Sequence, residues 1–380
     1  MGSLLALDPS YDDLIEQARS VAEKLQPIAV EADGMSTVHP EVLAILRESG
    51  LMRLVVPAAH GGRDETIDPV AVCIVREALM AVCSAADSLF ALQGIGSFAI
   101  SVAGTPAQRE EWLPKVASGE VLAGLALTEP GAGSDLKAIS TTARANGSGE
   151  IVLSGHKSFI SNAGVAGYYI VLAKEEGLGL SAFLVPADAR GLSTQPSPEL
   201  GAPHLLGDVL LDEVALPESA RLGQPGAGLE PVLATLAVFR ISVAAASVGL
   251  AQVALDEAVR HARTREQFGR PLLRLGPVAG LLADAWAEVE STRLLTYRVA
   301  ELARTNPRAH LEHSSLAKLA ATEACSRVVD RCVQVSGRWG LIRDSRLERC
   351  HRQARPMRIY EGASEVIRLG IARQLATEVD

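Results

Sequence analysis

The sequence predicts an α+β fold that is mainly helical, with an N-terminal all-helical domain, a middle antiparallel β-domain and a C-terminal four-helix bundle. The chain has 380 residues and is 48% hydrophobic but only 4% aromatic. Ala, Leu and Val must therefore build the core, which favours closely packed helices. Apolar residues recur at helical spacing in the first and last thirds, whereas the middle has short apolar runs between turn residues. We place the domains at residues 1–118, 119–226 and 227–380.

The first third predicts helices only. The apolar positions and the Pro and Gly breaks between them define five segments, at residues 11–27, 40–49, 69–82, 88–102 and 106–117. Within the fourth, Gly94-Ile95-Gly96-Ser97-Phe98-Ala99 has the spacing of a dinucleotide fingerprint. That fingerprint requires a strand before the glycine turn. Both flanks look helical here, so we interpret the glycines as helix-packing positions.

The middle third predicts strands. Its apolar runs lie at residues 121–127, 151–153, 168–173, 182–185 and 209–211. Asn146-Gly147 and Gly177-Leu178-Gly179 are turn sequences typical of antiparallel connections. The helical period returns after Gly228, with further long helices predicted over residues 312–335 and 360–376. Four long helices joined by loops indicate a bundle.

Charge and cysteine content exclude several classes of protein. The net charge is -9 and the basic residues are scattered, which argues against nucleic-acid binding. The five cysteines include no Cys-x-x-Cys pair, so no disulfide framework or zinc site is predicted. His310 and His313 have no apparent third ligand, and no metal is expected. Without a basic segment before an apolar core, or about 18 consecutive apolar residues, we expect a cytoplasmic protein that binds no membrane.

Two segments of the predicted β-domain combine glycines, hydroxyls and a ring. Leu127-Thr128-Glu129-Pro130-Gly131-Ala132-Gly133-Ser134-Asp135 follows a predicted strand, and its glycines would let a ligand approach the backbone N–H groups. An ordinary glycine-rich hairpin is the alternative. Further on, Phe159 and Ser161 are two residues apart and fall on one side of a strand, where a ring and a hydroxyl suit a flat cofactor.

These motifs resemble those of the acyl-CoA dehydrogenase family of FAD-dependent enzymes. The resemblance extends to Arg265-Glu266-Gln267-Phe268-Gly269 and to Gln334-Val335-Ser336-Gly337, although Arg338 replaces a family glycine. It implies that FAD is the cofactor and that Arg265, Gln267 and Phe268 contact the FAD of a neighbouring subunit. The implied FAD-binding residues are Leu127, Thr128, Gly133, Ser134, Phe159, Ser161, Arg265, Gln267, Phe268, Gln334, Gly337, Ala363 and Glu365.

The family's Tyr-Glu-Gly-Thr/Ala-Ser-Glu motif occurs as Tyr360-Glu361-Gly362-Ala363-Ser364-Glu365. Alone, this stretch is typical of a helix start with Ser364 and Glu365 facing solvent. The resemblance implies that Glu361 is the catalytic base. Some relatives carry the base just before an arginine on the first bundle helix, but Phe239 precedes Arg240 here. Arg240 and Tyr360 are then expected to support Glu361, and Ser134 to lie near the cofactor or the CoA phosphates.

The implied reaction is α,β-dehydrogenation of an acyl-CoA or acyl-carrier-protein thioester to the trans-2-enoyl thioester. Glu361 would take the pro-R α-proton, and the β-hydride would pass to flavin N5. The resemblance further implies electron-transfer flavoprotein as the acceptor and a homo-oligomer, either a tetramer or a dimer. The alternatives are a flavin oxidase or monooxygenase of the same fold and a non-enzymatic helical scaffold. A hydrolase is disfavoured because the chain has no Gly-x-Ser-x-Gly turn.

Overall fold

Helices dominate the computed structural model, which describes residues 4–378. This confirms the predicted mainly helical α+β fold. The α-helices among the described residues are α1 (Asp12–Leu25), α2 (Ala29–Asp33), α3 (Pro40–Ser49), α4 (Pro69–Met80), α5 (Ser84–Ala103), α6 (Pro106–Ser118), α7 (Leu229–Thr264), α8 (Gly276–Ala303), α9 (Leu311–Ser336), α10 (Arg346–Met357) and α11 (Ser364–Glu378).

The strands lie between α6 and α7, apart from one short hairpin after α7. They are β1 (Ala123–Ala126), β2 (Thr142–Ala145), β3 (Glu150–Ser161), β4 (Tyr168–Glu175), β5 (Gly179–Pro186), β6 (Leu192–Pro196), β7 (Leu206–Pro217), β8 (Arg221–Leu222), β9 (Glu266–Gln267) and β10 (Arg270–Pro271). One sheet has the order β6-β7-β3-β2-β4-β5-β8, with β1 paired to β4.

The sheet corrects one part of the prediction, because it is mixed rather than purely antiparallel. Strand β4 runs parallel to both β1 and β2, while the other pairs in the sheet are antiparallel. Both predicted turns do join antiparallel neighbours, β2 to β3 and β4 to β5. A parallel pair needs a long connection, and turn sequences do not reveal it.

The residues pack into two units. Among the described residues, the first comprises 4–33, 69–87 and 240–378, and the second comprises 34–68 and 88–239. The first unit contains α1, α4, α8–α11 and most of α7. The second contains α3, α6, most of α5 and the large sheet. The three-domain division at 118/119 and 226/227 stays a prediction.

The sheet of the second unit has an apolar cluster on each side. One includes Tyr169, Phe183 and Val209, and the other includes Tyr168, Ile170 and Leu184. Neighbouring residues of β4 therefore enter different clusters, as the two-residue period of a strand requires. A strand buried on both faces reads as a continuous apolar run, which is why residues 168–173 were easy to predict.

Helix boundaries follow local signals in most places. Thr105 and Gln108 form a capping box at the start of α6, and Gly119 ends it in the left-handed conformation with φ 72°. Helix α5 runs unbroken through Gly94 and Gly96, which confirms that the glycine pattern there is no dinucleotide turn. Helices α5 and α7 are long and apolar enough to span a membrane, but their apolar windows are mostly buried, as in core helices of soluble proteins.

The C-terminal stretch corrects a second expectation. Helix α11 begins at Ser364 rather than at residue 360, so Tyr360 to Ala363 precede it. Glu365 is exposed as expected, but Ser364 is buried. Helix α10 was not predicted, although Leu347, Cys350, Ala354 and Met357 recur on its buried face at helical spacing.

Candidate active site

The glycine segment of the second unit is held by Glu129. Its carboxylate accepts hydrogen bonds from the backbone N–H of Thr141 (2.9 Å) and the hydroxyl of Ser140 (2.7 Å). Lys157 on β3 donates to the same carboxylate at 2.8 Å and to the Leu127 carbonyl at 3.1 Å. These donors hold the pKa of Glu129 at about 2 despite its burial. The start of the segment is thus fixed to β3 and to residues 140–141.

Within this segment the glycines leave the backbone open. A Cβ built at Gly131 or Gly133 would have no other atom within 4 Å. Ser134 is exposed, and Asp135 accepts a hydrogen bond from the Lys137 N–H. The Thr128 carbonyl accepts from the Ser158 N–H at 2.9 Å, which brings the segment beside the end of β3.

A β-bulge presents Phe159. The register of β3 against β7 shifts between Lys157 and Ile160, and Phe159 takes the left-handed conformation with φ 55°. Phe159 is 51% exposed, while Ser158 and Ile160 on either side are buried. The Ser161 hydroxyl lies 3.1 Å from Nε2 of His204, a residue that the sequence did not single out. Burial lowers the pKa of His204 to about 4.

A tight hairpin follows α7 in the first unit. Strands β9 and β10 pair Gln267 with Arg270, and Phe268 and Gly269 turn between them with φ 54° and 72°. Phe268 is 89% exposed, and Arg265 and Gln267 are exposed as well. The structure thus gathers these three predicted FAD residues on one surface hairpin, where they can reach another molecule.

The last predicted FAD segment lies at the end of α9. Gly337 caps the helix with φ 55° and ψ -135°, and a 3-10 turn begins there. Arg338 lies over the ring of Trp339, so its replacement of a family glycine is accommodated without a left-handed backbone at that position. The Ser336 hydroxyl is buried and has no hydrogen-bond partner among the described residues. The same is true of the Ser158 hydroxyl in the other unit.

Glu361 occupies a strained turn before α11. Its φ is 53°, and that of Gly362 is 112°. A non-glycine residue in the left-handed region is uncommon and must be held there by its surroundings. Arg240 Nε donates to the Glu361 carbonyl at 2.7 Å, and Lys318 Nζ donates to the Gly362 carbonyl at 2.8 Å. Two cations from different helices thus hold two consecutive carbonyls.

The carboxylate of Glu361, unlike its backbone carbonyl, has an oxygen without a hydrogen-bond donor in the described part of the chain. Its Oε2 atom is buried and accepts no hydrogen bond from any described residue. Burial raises its pKa, while the charges of Arg76, Lys318 and Arg240 act in the opposite direction. Arg76 is itself occupied by Asp87, with Nη2 2.7 Å and Nε 2.9 Å from the two carboxylate oxygens. The carboxylate therefore lies among cations whose hydrogen bonds are used elsewhere.

Comparison with known proteins identifies the family. Family models of the N-terminal, middle and C-terminal domains of acyl-CoA dehydrogenases match residues 9–120, 124–214 and 226–376, respectively. The chain belongs to the acyl-CoA dehydrogenase family. Members of this family are oxidoreductases, so the alternative interpretation as a non-enzymatic helical scaffold is wrong.

Three relatives of the chain illustrate the similarity. The short-chain specific acyl-CoA dehydrogenase of Bos taurus mitochondria is 35% identical, over 97% of this chain and 90% of that protein. Cyclohexane-1-carbonyl-CoA dehydrogenase of Geobacter metallireducens is 34% identical, over 95% of both. The solved structure of a glutaryl-CoA dehydrogenase from Mycobacterium smegmatis in complex with FADH2 superposes with a TM-score of 0.90, at 26% identity, over 97% of this chain and 95% of that one.

In this acyl-CoA dehydrogenase, sequence reasoning missed four buried charged residues. Arg76, Asp87 and Lys318 surround Glu361, and Glu129 holds the glycine segment, in which it was named without a role. For Lys318 the sequence did contain an indication, because this charged residue interrupts the apolar face of α9, where Ala317 and Ala321 are buried. A charge on the buried face of a helix requires a partner, and only the fold shows which one.

Phe239 is the residue in the place of an alternative base. Its ring is buried against Gly94, where an added Cβ would lie 2.2 Å from it, and it meets Phe98 edge-on with centroids 6.1 Å apart. Phe239 thus packs as an aromatic core residue and brings no acid to this position.

Proposed function

We propose that this chain catalyses α,β-dehydrogenation of an acyl-CoA thioester, with Glu361 as the base that removes the α-proton. The observation that carries the proposal is the buried Oε2 of Glu361, which accepts no hydrogen bond from the described residues while cations surround it. A general base must keep a free lone pair and have a pKa near the operating pH. Glu361 fits this need better than a carboxylate engaged in a salt bridge.

FAD is the cofactor of the family, and the side chains present fit it. Thr128, Ser134, Phe159 and Ser161 of the second unit suit the flavin ring, because glycines open the backbone beside them and Phe159 offers an exposed face. Arg265, Gln267, Phe268, Gln334 and Gly337 suit the diphosphate and adenosine half, since a guanidinium pairs with phosphate through directed, charge-assisted bonds. The buried hydroxyls of Ser158 and Ser336 could find partners in a bound ligand. When bound, FAD supplies the acceptor for the β-hydride.

The chain's own residues prepare the proton transfer. Burial raises the affinity of Glu361 for a proton, and the neighbouring cations limit that rise so that the carboxylate can still ionise. Arg240 fixes the Glu361 carbonyl and so holds the backbone from which the base projects. A fixed base avoids an entropic cost in the transition state.

The substrate proposed is a short or cyclic acyl-CoA. The support is the names of two relatives, which refer to short-chain acyl-CoA and cyclohexane-1-carbonyl-CoA. A panel of linear, branched and cyclic acyl-CoAs and one acyl-carrier-protein thioester, tested for anaerobic flavin reduction, distinguishes these classes. Electron-transfer flavoprotein as acceptor and a homotetramer or dimer remain predictions from the family resemblance. A cytoplasmic location remains a prediction from the cysteine content and the N-terminal sequence.

Glu361→Gln tests the base. The variant should bind FAD and acyl-CoA, but its rate constant for flavin reduction should fall by roughly 10²–10⁴-fold, the usual contribution of a general base. Stopped-flow absorbance of the flavin measures this directly. Glu257→Gln changes a partly exposed glutamate that is paired with Arg260 on α7; it is the control and should behave as wild type. A Glu361→Gln protein that reduces its flavin at the wild-type rate would rule Glu361 out.

The same experiment separates the proposed dehydrogenase from a flavin oxidase or monooxygenase. In a dehydrogenase the flavin should stay reduced for minutes after air is admitted while the enoyl product is bound. The reduced flavin should pass its electrons to a flavoprotein or a dye. Rapid oxygen consumption that is stoichiometric with substrate would favour the oxidase instead.

A further inference from the structure

We propose that Lys318 is a positioning residue for Glu361: with Arg240 it holds the backbone turn that carries the base, and its charge helps to keep that base ionised. This inference rests on the proposed function of Glu361. Lys318 belongs to no recognised sequence motif, and it donates a hydrogen bond to a backbone carbonyl of the loop.

The hydrogen bonds define the arrangement. Lys318 on α9 donates to the Gly362 carbonyl at 2.8 Å, and Arg240 on α7 donates to the Glu361 carbonyl at 2.7 Å. Arg240 also donates to the Ser315 hydroxyl at 3.0 Å, and Ser315 lies one helical turn before Lys318 on α9. We call Arg240, Ser315 and Lys318 the carbonyl clamp. The clamp joins two helices to the turn.

The turn needs such support because of its backbone. Glu361 has φ 53°, and a non-glycine residue persists there only where surrounding contacts enforce it. Gly362, with φ 112°, uses the conformational freedom of glycine. The Gly362 carbonyl precedes α11, whose first residue Ser364 donates its N–H to the Arg358 carbonyl at 3.1 Å. Removing the Lys318 bond would leave the second carbonyl of the turn without this donor.

Burial of Lys318 argues against a purely structural lysine. Its side chain is fully buried, and burying an ammonium group costs free energy unless the group is hydrogen-bonded and lies near opposite charge. An apolar residue could fill the same space on α9 without this desolvation cost. The charged groups that face Lys318 are Glu361, Arg240, Glu323 and Arg358, and burial lowers its pKa to about 8. Glu323 is already engaged by Arg358 at 2.9 Å.

The charges that act on Glu361 determine the sign of the expected effect. Glu361 experiences the cations Arg76, Lys318 and Arg240 and the anion Asp87. Removing the Lys318 charge favours the protonated form of Glu361 and raises its pKa further. The base is then protonated over a wider acidic range, so flavin reduction should lose rate at low pH and recover at higher pH.

Lys318→Met tests this in the FAD-loaded enzyme. The acidic limb of the pH profile for flavin reduction should move upward by roughly one pH unit, the size expected when a nearby opposite charge is removed. At a fixed pH on the acidic limb the rate should therefore fall by up to about tenfold, while the Kd for the acyl-CoA should change little. Lys318→Arg keeps the charge and should leave the acidic limb at its wild-type position. Ser326→Ala is the control. It removes a hydroxyl on α9, eight positions after Lys318, whose hydrogen bond among the described residues goes to the Thr322 carbonyl.

Amide hydrogen exchange provides a readout that does not depend on turnover. In Lys318→Met, exchange at residues 359–364 should be faster than in wild type and Ser326→Ala. If Lys318→Met does not fold, Lys318→Gln is used, since its amide can donate to Gly362 but carries no charge. It should shift the pH profile with less effect on exchange. An acidic limb and an exchange rate both equal to wild type would overturn the proposal, whereas an inactive wild type would instead contradict the proposed function.

Discussion

Two glutamates of this chain have similar sequence settings and opposite environments. Glu129 precedes Pro130-Gly131 on the glycine segment, and Glu361 precedes Gly362 on the strained turn. Glu129 accepts hydrogen bonds from Ser140, Thr141 and Lys157, and its pKa falls to about 2. Glu361 has a buried oxygen without a donor, and its pKa is raised.

The difference lies in where the neighbouring cations direct their N–H groups. Lys157 binds the carboxylate of Glu129, so that glutamate is a fixed anion suited to holding a loop. Arg240 and Lys318 bind backbone carbonyls beside Glu361, so the charge is nearby while the lone pairs stay free. A cation near a buried acid therefore indicates a structural or a catalytic role only when the atom it binds is known.

Removing the structural carboxylate should cause the largest loss of stability. Glu129→Ala leaves Lys157 buried and without its ion-pair partner, which typically costs about 3–5 kcal/mol. The free energy of unfolding should fall by that amount in a urea titration followed by circular dichroism. The glycine segment should also lose its anchor, so FAD should dissociate more readily.

Glu361→Gln is the matched comparison for this loss. Ionisation of Glu361 is disfavoured in the folded state, so its neutral replacement should not reduce stability at pH 7. A stability loss in Glu361→Gln as large as that in Glu129→Ala would show that both carboxylates are structural, and the contrast between them would be lost.

The pH dependence of stability sharpens the same contrast. The pKa of Glu129 is depressed from 4.5 to about 2, so its contribution is complete above pH 4.5 and is lost as the pH falls through about 2. At about 1.4 kcal/mol per pKa unit, this amounts to about 3 kcal/mol. Urea titrations between pH 7 and 2.5 should show a loss that Glu129→Gln lacks. Parallel curves for the two proteins would refute the assignment.

Elements with strong local signals could be predicted from the sequence. Helix α3 spans residues 40–49 as expected, because Pro40 starts it and Gly50 ends it in the left-handed conformation. The double-sided apolar run of β4 was equally clear. In contrast, β2, β6 and β8 are short or largely exposed, so no apolar pattern marked them.

The site was predictable only as far as motifs extend. The residues of the glycine segment, the hairpin and the Glu361 turn all stand in recognisable patterns. The bulge at Phe159 and the carbonyl clamp do not, because each depends on contacts between residues far apart in the chain. Lys318 and Gly362 are 44 positions apart, and nothing in either local sequence indicates the other.

The smallest expected effect concerns the glycine of the turn. An alanine at Gly362 would have to adopt φ 112°, and its Cβ would lie 2.9 Å from Nη2 of Arg240. Strain of this kind costs about 1–3 kcal/mol. Gly362→Ala should lower the thermal midpoint by a few degrees and slow flavin reduction while FAD stays bound.

Gly370→Ala is the control for that substitution. Gly370 lies within α11 and has open space around a built Cβ, so alanine should be neutral or stabilise the helix by up to about 1 kcal/mol. If Gly362→Ala matches Gly370→Ala in both stability and rate, the turn does not need its glycine. The left-handed backbone would then not be what distinguishes the base at 361 from the anchor at 129. If only Gly362→Ala slows flavin reduction, the geometry enforced by the clamp matters for proton removal as well as the charge.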